Sequence, residues 1–303
     1  MLCELHALGA NPVLTWLLLS ALGVVAASLF SGSVFVAYYA RPTYSQWRRK
    51  LSPEFPSALK VREEVLQTLK SIGVATLCPA ASLYLAQRGG SRAYCGDPEG
   101  KGLLHHALQL AAIWVASDFY EWAYHYVGHS FKFAWDNHKA HHRYYNPSPF
   151  AVIADDFIDQ FVRSLPLLLF PHFFSVNIDL LFITFAALFY GYGTVLHWGF
   201  ESELEVLGVH GAVGSRLNGS YEHHYHHSTS TLLRPLYCGF FLKTWDTLVG
   251  SVPPPGSPCK CSRCECARGQ RSEAAWKVLE KPDYSVLLRP SFWTAPPAAK
   301  EAS

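Results

Sequence analysis

Residues 13–40 read VLTWLLLSALGVVAASLFSGSVFVAYYA, a run without a single charge. A bilayer core of roughly 30 Å needs about 20 such residues in a helix, so the run predicts a membrane span. It exceeds the apolar stretch of about 7–15 residues found in a signal peptide, and no basic segment precedes it, so it reads as a retained anchor. Three later stretches show the same pattern less cleanly. Val65–Gln87 is apolar around Lys70, Leu103–Val127 is apolar around Asp118 and Glu121, and Asn177–Phe200 is the clearest of the three. Phe157–Val176 is apolar too, but Pro166 and Pro171 break it. That break predicts a short hairpin partner or a re-entrant segment, which lipid tolerates only when protein shields it. The pattern predicts an all-α integral membrane protein with about four transmembrane helices, a re-entrant or hairpin segment, and a cytosolic helical cap.

Composition agrees. Of 303 residues, 50% are hydrophobic and 16% charged, against about 25% charged in an ordinary soluble domain. Charge placement adds a direction. Arg41, Arg48, Arg49, Lys50, Lys60 and Arg62 come after the first span, which puts that loop in the cytosol and the N-terminus across the membrane. Residues 88–101 are then lumenal, and the third span brings the chain back to the cytosol near residue 128. A net charge of +2 gives no reason to expect nucleic acid. The chain divides into three regions: an N-terminal anchor of two spans over 1–100, a unit carrying the chemistry over 101–252, and a Cys- and Pro-rich tail over 253–303, expected to be loose. Four of the eight cysteines stand in CKCSRCEC, Cys259–Cys266. On the cytosolic side disulfides are disfavoured, and the spacing is too tight for an ordinary structural zinc fold.

The candidate chemistry is in the histidines. HYVGH holds His125 and His129, HKAHH holds His138, His141 and His142, and HHYHH holds His223, His226 and His227, with His224 as an extra. Spacings of three and four put each set on one helical face. His197 stands alone near the end of the last span. All of these positions fall at or just beyond the cytosolic ends of the expected spans. A structural zinc takes about four ligands and a catalytic zinc about three plus water, so eight or nine imidazoles fit two transition-metal ions. Imidazole suits iron, copper, nickel and zinc alike, so ligand type does not select the metal. Asp118 lies two turns before His125 on the same face, with Glu121 near it. A carboxylate inside a span needs a partner, and orienting a ligand histidine through its other nitrogen is one such role. Glu222, His224 and Asp246 are further candidates for supporting the ligands. His6, His105, His106, His172 and His210 read as ordinary surface or core residues.

The order H-x-x-x-H, H-x-x-H-H, H-x-x-H-H resembles the fatty acid hydroxylase and sterol desaturase superfamily of membrane di-iron oxygenases, with the sterol C-5 desaturase branch as the nearest likeness. HKAHHRYYNPSPFAVIADDFIDQFVRSLP is similar to that branch after its second box, and VLHWGF to its last-span histidine. LNGSYEHHYHH is similar to its third box, and KTWDTLVGSV to the Trp-Asp and Gly-Ser segment beyond that box. The likeness covers roughly residues 110–252. It implies a di-iron centre held by His125, His129, His138, His141, His142, His197, His223, His226 and His227. It also implies dioxygen as oxidant, electrons from NAD(P)H through cytochrome b5 and its reductase, an inert C–H bond of a membrane lipid (most simply a sterol) as target, and an address in the endoplasmic reticulum. Two departures stand out: Glu222 replaces a histidine just before the third box, and ADDF (Ala154–Phe157) replaces AFHP after the second.

Two other classes compete. An intramembrane zinc hydrolase is weakened because HYVGH lacks the glutamate that acts as base in H-E-x-x-H. A metal transporter would place its ligands at mid-bilayer rather than at one face, and a haem protein wants one or two axial histidines.

Overall fold

The computed structural model describes residues 11–97, 100–201, 216–258 and 271–294. Among these residues the chain is helical, and β-pairing is limited to isolated bridges such as Lys50 with Phe200. Asn11 starts the first helix, α1 (Pro12–Phe35), by accepting from the backbone N–H groups of Val13 and Leu14, with proline at the first position. α1 widens into a π-turn over Val36–Ala40. α2 (Ala58–Ala75) is capped by Ser57 and runs through Thr76 into α3 (Leu77–Gln87). Next come α4 (Gly102–Ser130), α5 (Lys132–His142), α6 (Phe157–Ser164), α7 (Pro166–Phe173), α8 (Ile178–Ile183), α9 (Tyr190–His197), α10 (Ser220–Thr229), α11 (Thr244–Val249) and α12 (Glu273–Val278).

Among the described residues, three helices are long and apolar enough to cross a membrane: Pro12–Ala40, Ala58–Gln87 and Ile178–His197. Leu17, Leu22, Val25 and Leu29 of α1 point away from the protein, as lipid-facing side chains do. The expected span in Leu103–Val127 is instead the middle of α4. It has 29 residues, about 43 Å at 1.5 Å per residue, but His105, His106, Gln109, Asp118 and Glu121 dilute its apolar character.

Phe157–Val176 is a short hairpin partner of the last span: Pro166 opens α7, Pro171 sits within it, and the two short helices run to the end away from His197, from which Ile178–His197 returns. Before them, the Asp155 carbonyl accepts from Ser71 Oγ at 2.9 Å; at their far end, the Pro171 carbonyl accepts from the Arg92 N–H at 2.7 Å. Cys78, Leu83, Ile113, Leu167, Ile178 and Leu181 form the core around them.

The two ends of the bundle are laced separately. At the His197 end, Tyr39 Oη donates to the carbonyls of Trp198 (2.7 Å) and Pro147 (3.0 Å), and the Leu51 N–H donates to Gly199 O. Gly199 has φ +77°, and a Cβ there would come within 2.7 Å of Tyr39 Oη, so only glycine serves at this crossing. At the opposite end, the Tyr94 N–H donates to Val176 O and the Ile178 N–H to Tyr94 O. Residues 88–97 therefore lie at the end away from His197.

The tail is not loose throughout. Arg271 donates to the carbonyls of Trp47 (3.0 Å), Leu51 (2.9 Å) and Lys50, Trp276 packs on Trp47, and Tyr284 Oη donates to Pro56 O at 2.6 Å. The buried carbonyls of the 41–57 loop need donors, and residues 271–284 bring them. CKCSRCEC lies outside the described residues.

Candidate metal centre

α4 ends on HYVGH and α5 begins two residues later. Gly128 makes that reversal tight: a Cβ on it would stand 3.1 Å from the His138 ring. α10 and the end of α9 close the site from the other side. The nine histidines converge in two groups. One holds His125, His129, His138, His142 and His226; the other holds His141, His197, His223 and His227; within each, the ligand atoms lie inside 4.8 Å of one another. The two H-x-x-H-H boxes are dealt in mirror fashion. α5 sends its i, i+4 pair, His138 and His142, to the first group and His141 to the second. α10 sends His223 and His227 to the second group and His226 to the first.

Six of the nine outer nitrogens have a polar neighbour, while Nδ1 of His142, His223 and His227 is buried without a hydrogen-bond partner. Nδ1 donates to a backbone carbonyl in His125 (Cys238, 3.0 Å), His129 (Thr231, 3.2 Å), His197 (Gly193, 2.8 Å) and His226 (Leu236, 2.7 Å). His138 Nδ1 donates to Asp159 Oδ2 at 3.2 Å. His141 Nδ1 lies 2.8 Å from Asp155 Oδ1, at ion-pair distance but not aligned as a hydrogen bond. These acceptors assign the proton to Nδ1 and leave a lone pair on Nε2.

The inner nitrogens then face each other. Nε2 to Nε2 separations are 2.9 Å for His129–His142, 3.2 Å for His138–His142, 3.1 Å for His142–His226, 2.9 Å for His197–His223 and 3.1 Å for His223–His227. Lone pairs at that range repel unless a cation lies among them. Two nitrogens bound at about 2.1 Å to one ion stand about 3.0–3.4 Å apart for angles of 90–109°. The donor set fits two metal ions.

Burial is near complete, with His129 and His226 at 0% exposed. Burial first, and neighbouring imidazoles second, hold His138, His142, His223 and His227 well below the usual histidine pKa. His226 is likewise held down, by burial and His129. Neutral imidazole is the form that ligates. Burial works against the charge of Asp155, but the Arg163 guanidinium outweighs it and lowers the carboxyl pKa. Arg163 also pairs with Glu121 at 2.7 Å, so Glu121, Arg163, Asp155 and His141 form a buried chain.

The other candidates sit elsewhere than expected. Asp118 touches no histidine: its oxygens accept from the N–H groups of Phe241 (2.7 Å) and Leu242 (3.3 Å) and from Trp245 Nε1 (2.8 Å). Glu222 turns back to the Gly219 N–H (2.8 Å) and to Lys243, away from both groups. His224 belongs to neither group. Asp246 acts at one remove: it accepts from the N–H groups of Cys238 (3.0 Å) and Gly239 (2.7 Å), fixing the peptide whose carbonyl takes His125. Sequence reasoning missed Asp155 and Arg163 as supports. Two acids four apart, Asp155 and Asp159, ahead of an apolar run were the available signal.

A cavity of about 380 Å³ opens among the spans, walled by Leu22, Ile72, Phe182, Phe189 and Phe240, with Glu121, Gln160 and Arg163 on the same wall; Arg163 connects it through Asp155 to His141.

Residues 110–251 match the sequence model of the fatty acid hydroxylase family. The chain is 30% identical over 127 residues to the Delta(7)-sterol 5(6)-desaturase of Gibberella zeae, covering 41% of this chain and 36% of that protein. It is 28% identical over 244 residues to the corresponding enzyme of Aspergillus fumigatus, covering 78% of this chain and 63% of the relative. In both cases less than two thirds of the relative is spanned. No solved structure matches the chain.

Proposed function

Because residues 110–251 carry a fatty acid hydroxylase domain like that of the sterol desaturases, we propose that the chain is a membrane-bound, non-haem di-iron oxidoreductase acting on a sterol or similar lipid. The observation that carries this reading is the convergence of nine imidazoles, eight buried and His142 half-buried, in two adjacent groups. His125, His129, His138, His142 and His226 would hold one iron, and His141, His197, His223 and His227 the other. Bound there, the iron pair would supply what no side chain can, the oxidation of an unactivated C–H bond with dioxygen. In a desaturation, two electrons from cytochrome b5 and two from the lipid's C–H pair reduce one dioxygen to two waters.

The chain's own residues do the rest. Backbone carbonyls, Asp155 and Asp159 orient six of the nine rings from behind. The Glu121–Arg163–Asp155 chain keeps the charge behind His141 compensated without solvent. The apolar cavity takes the lipid body out of the bilayer and excludes water.

The histidine end faces the cytosol in this reading, where cytochrome b5 and its NAD(P)H-dependent reductase reach it at the endoplasmic reticulum. Support comes from Cys95, which is disulfide-bonded and lies at the opposite end; disulfides persist on the oxidising side of a membrane. The test is reconstitution with iron, cytochrome b5, its reductase and NADH. Mass spectrometry then reads the product: loss of two hydrogens means desaturation, a gained oxygen means hydroxylation. One zinc per chain and no oxidised lipid would favour a hydrolase and overturn the proposal.

A further inference from the structure

The cavity's polar wall contains one side chain that the protein leaves unserved. Glu121 is paired with Arg163 at 2.7 Å, and Arg163 also with Asp155. Ser164 Oγ donates to Phe161 O at 2.8 Å, Thr76 Oγ1 to Ile72 O at 2.9 Å, and Tyr190 Oη shares a hydrogen bond with Ser31 Oγ at 3.0 Å. Gln160 is 5% exposed and lines the same cavity, yet its Oε1 is buried without any hydrogen-bond partner. A buried amide of this kind is costly unless something completes it.

We infer that Gln160 binds a hydroxyl group on the lipid that fills this cavity, and so selects neutral lipid alcohols. The amide both donates and accepts, as a hydroxyl does. The Glu121–Arg163–Asp155 chain sets two carboxylates against one guanidinium, so a carboxylate or phosphate head would meet net negative charge rather than a cation left to pair with it. Position supports the role. Asp159, one residue earlier on α6, holds His138 at 3.2 Å, while Gln160 faces the cavity. The same helical turn therefore fixes a metal-side ring and the polar end of the lipid, setting which carbons lie near the metal groups. The inference rests on reading the cavity as the lipid site.

The experiment is a binding comparison on the purified full-length chain in nanodiscs, needing no turnover. 5α-cholestan-3β-ol and 5α-cholestane, identical but for the hydroxyl, each compete against the fluorescent sterol dehydroergosterol. Wild type should prefer the alcohol about tenfold, the scale of one buried hydrogen bond. Gln160→Met, of similar size, should reduce that preference to near unity while leaving the hydrocarbon's affinity unchanged. Leu167→Ala, on the same wall, should shift both ligands together and keep their ratio. An unchanged ratio in Gln160→Met, or an equal loss of both ligands, overturns the inference. Failure of the reaction proposal looks different: no lipid is oxidised by the reconstituted enzyme, while the Gln160-dependent ratio persists.

Discussion

His142 and His226 lie 84 positions apart in the chain, and their Nε2 atoms meet at 3.1 Å. That contact joins α5 to α10 and makes the first histidine group, otherwise drawn from α4 and α5, depend on a helix from a distant part of the sequence.

Removing His226 should therefore do more than delete one donor. His226→Ala is expected to abolish lipid oxidation and to lower bound metal from about two ions per chain to about one, while the protein still inserts in membranes. Metal analysis of the purified variant checks the stoichiometry. Full metal content with full turnover would sink the ligand assignment.

Asp155 meets His141 at 2.8 Å and Arg163 on its other oxygen. Groups that orient ligand histidines from behind typically contribute 10–100-fold in metal affinity. Asp155→Asn keeps the shape and removes the charge, leaving Arg163 short of an acid. It should weaken metal retention by about that factor in a chelator competition, with all nine histidines intact. Wild-type retention would show that Asp155 serves only Arg163.

Gly128→Ala is a test of geometry alone. The added methyl would press on the His138 ring at 3.1 Å, and Asp159 leaves that ring little freedom to move. About a tenfold loss of turnover is expected, with metal affinity also reduced. Activity at the wild-type level would mean that α4 and α5 separate at little cost.

Acid should empty the site. His138, His142, His223, His226 and His227 all have folded-state pKa values below the ordinary one, which is about 6.5. Above that pH folded and unfolded chains are both neutral at these positions, and the contribution vanishes. Below it the unfolded chain binds more protons, so stability falls as pH falls, and protons compete with metal in the same direction. Metal retained after desalting, and the melting temperature, should both drop between pH 7.5 and 5.5. A melting temperature that stays flat across that window would contradict the buried, neutral state.

Eight of the nine histidines were legible because each box is a local helical spacing, and local spacing survives folding; His197, which stands alone, entered only through the family resemblance. Their division into two groups was not, since it depends on how α5 and α10 cross. Asp118 misled for a related reason. Its face of α4 is shared by the 241–245 loop, whose N–H groups claim both oxygens before any imidazole can. The carbonyls of Cys238, Thr231, Leu236 and Gly193, which hold four rings, belong to backbone and leave no mark in residue identity. The length of α4 could be read from its apolar run, but its dilution by polar residues separated it from the clear spans. Only tertiary contact reveals that Arg271 belongs to the first loop.

That last contact bears on biosynthesis. Arg271 reaches the carbonyls of Trp47, Lys50 and Leu51 across 224, 221 and 220 positions. The loop between the first two spans is made early, yet its backbone is satisfied only after residue 271 has left the ribosome. A message truncated just short of residue 271 would encode every imidazole of the site and still leave this corner unfinished. Such a chain would carry the whole histidine set beside a loop whose carbonyls lack their donor.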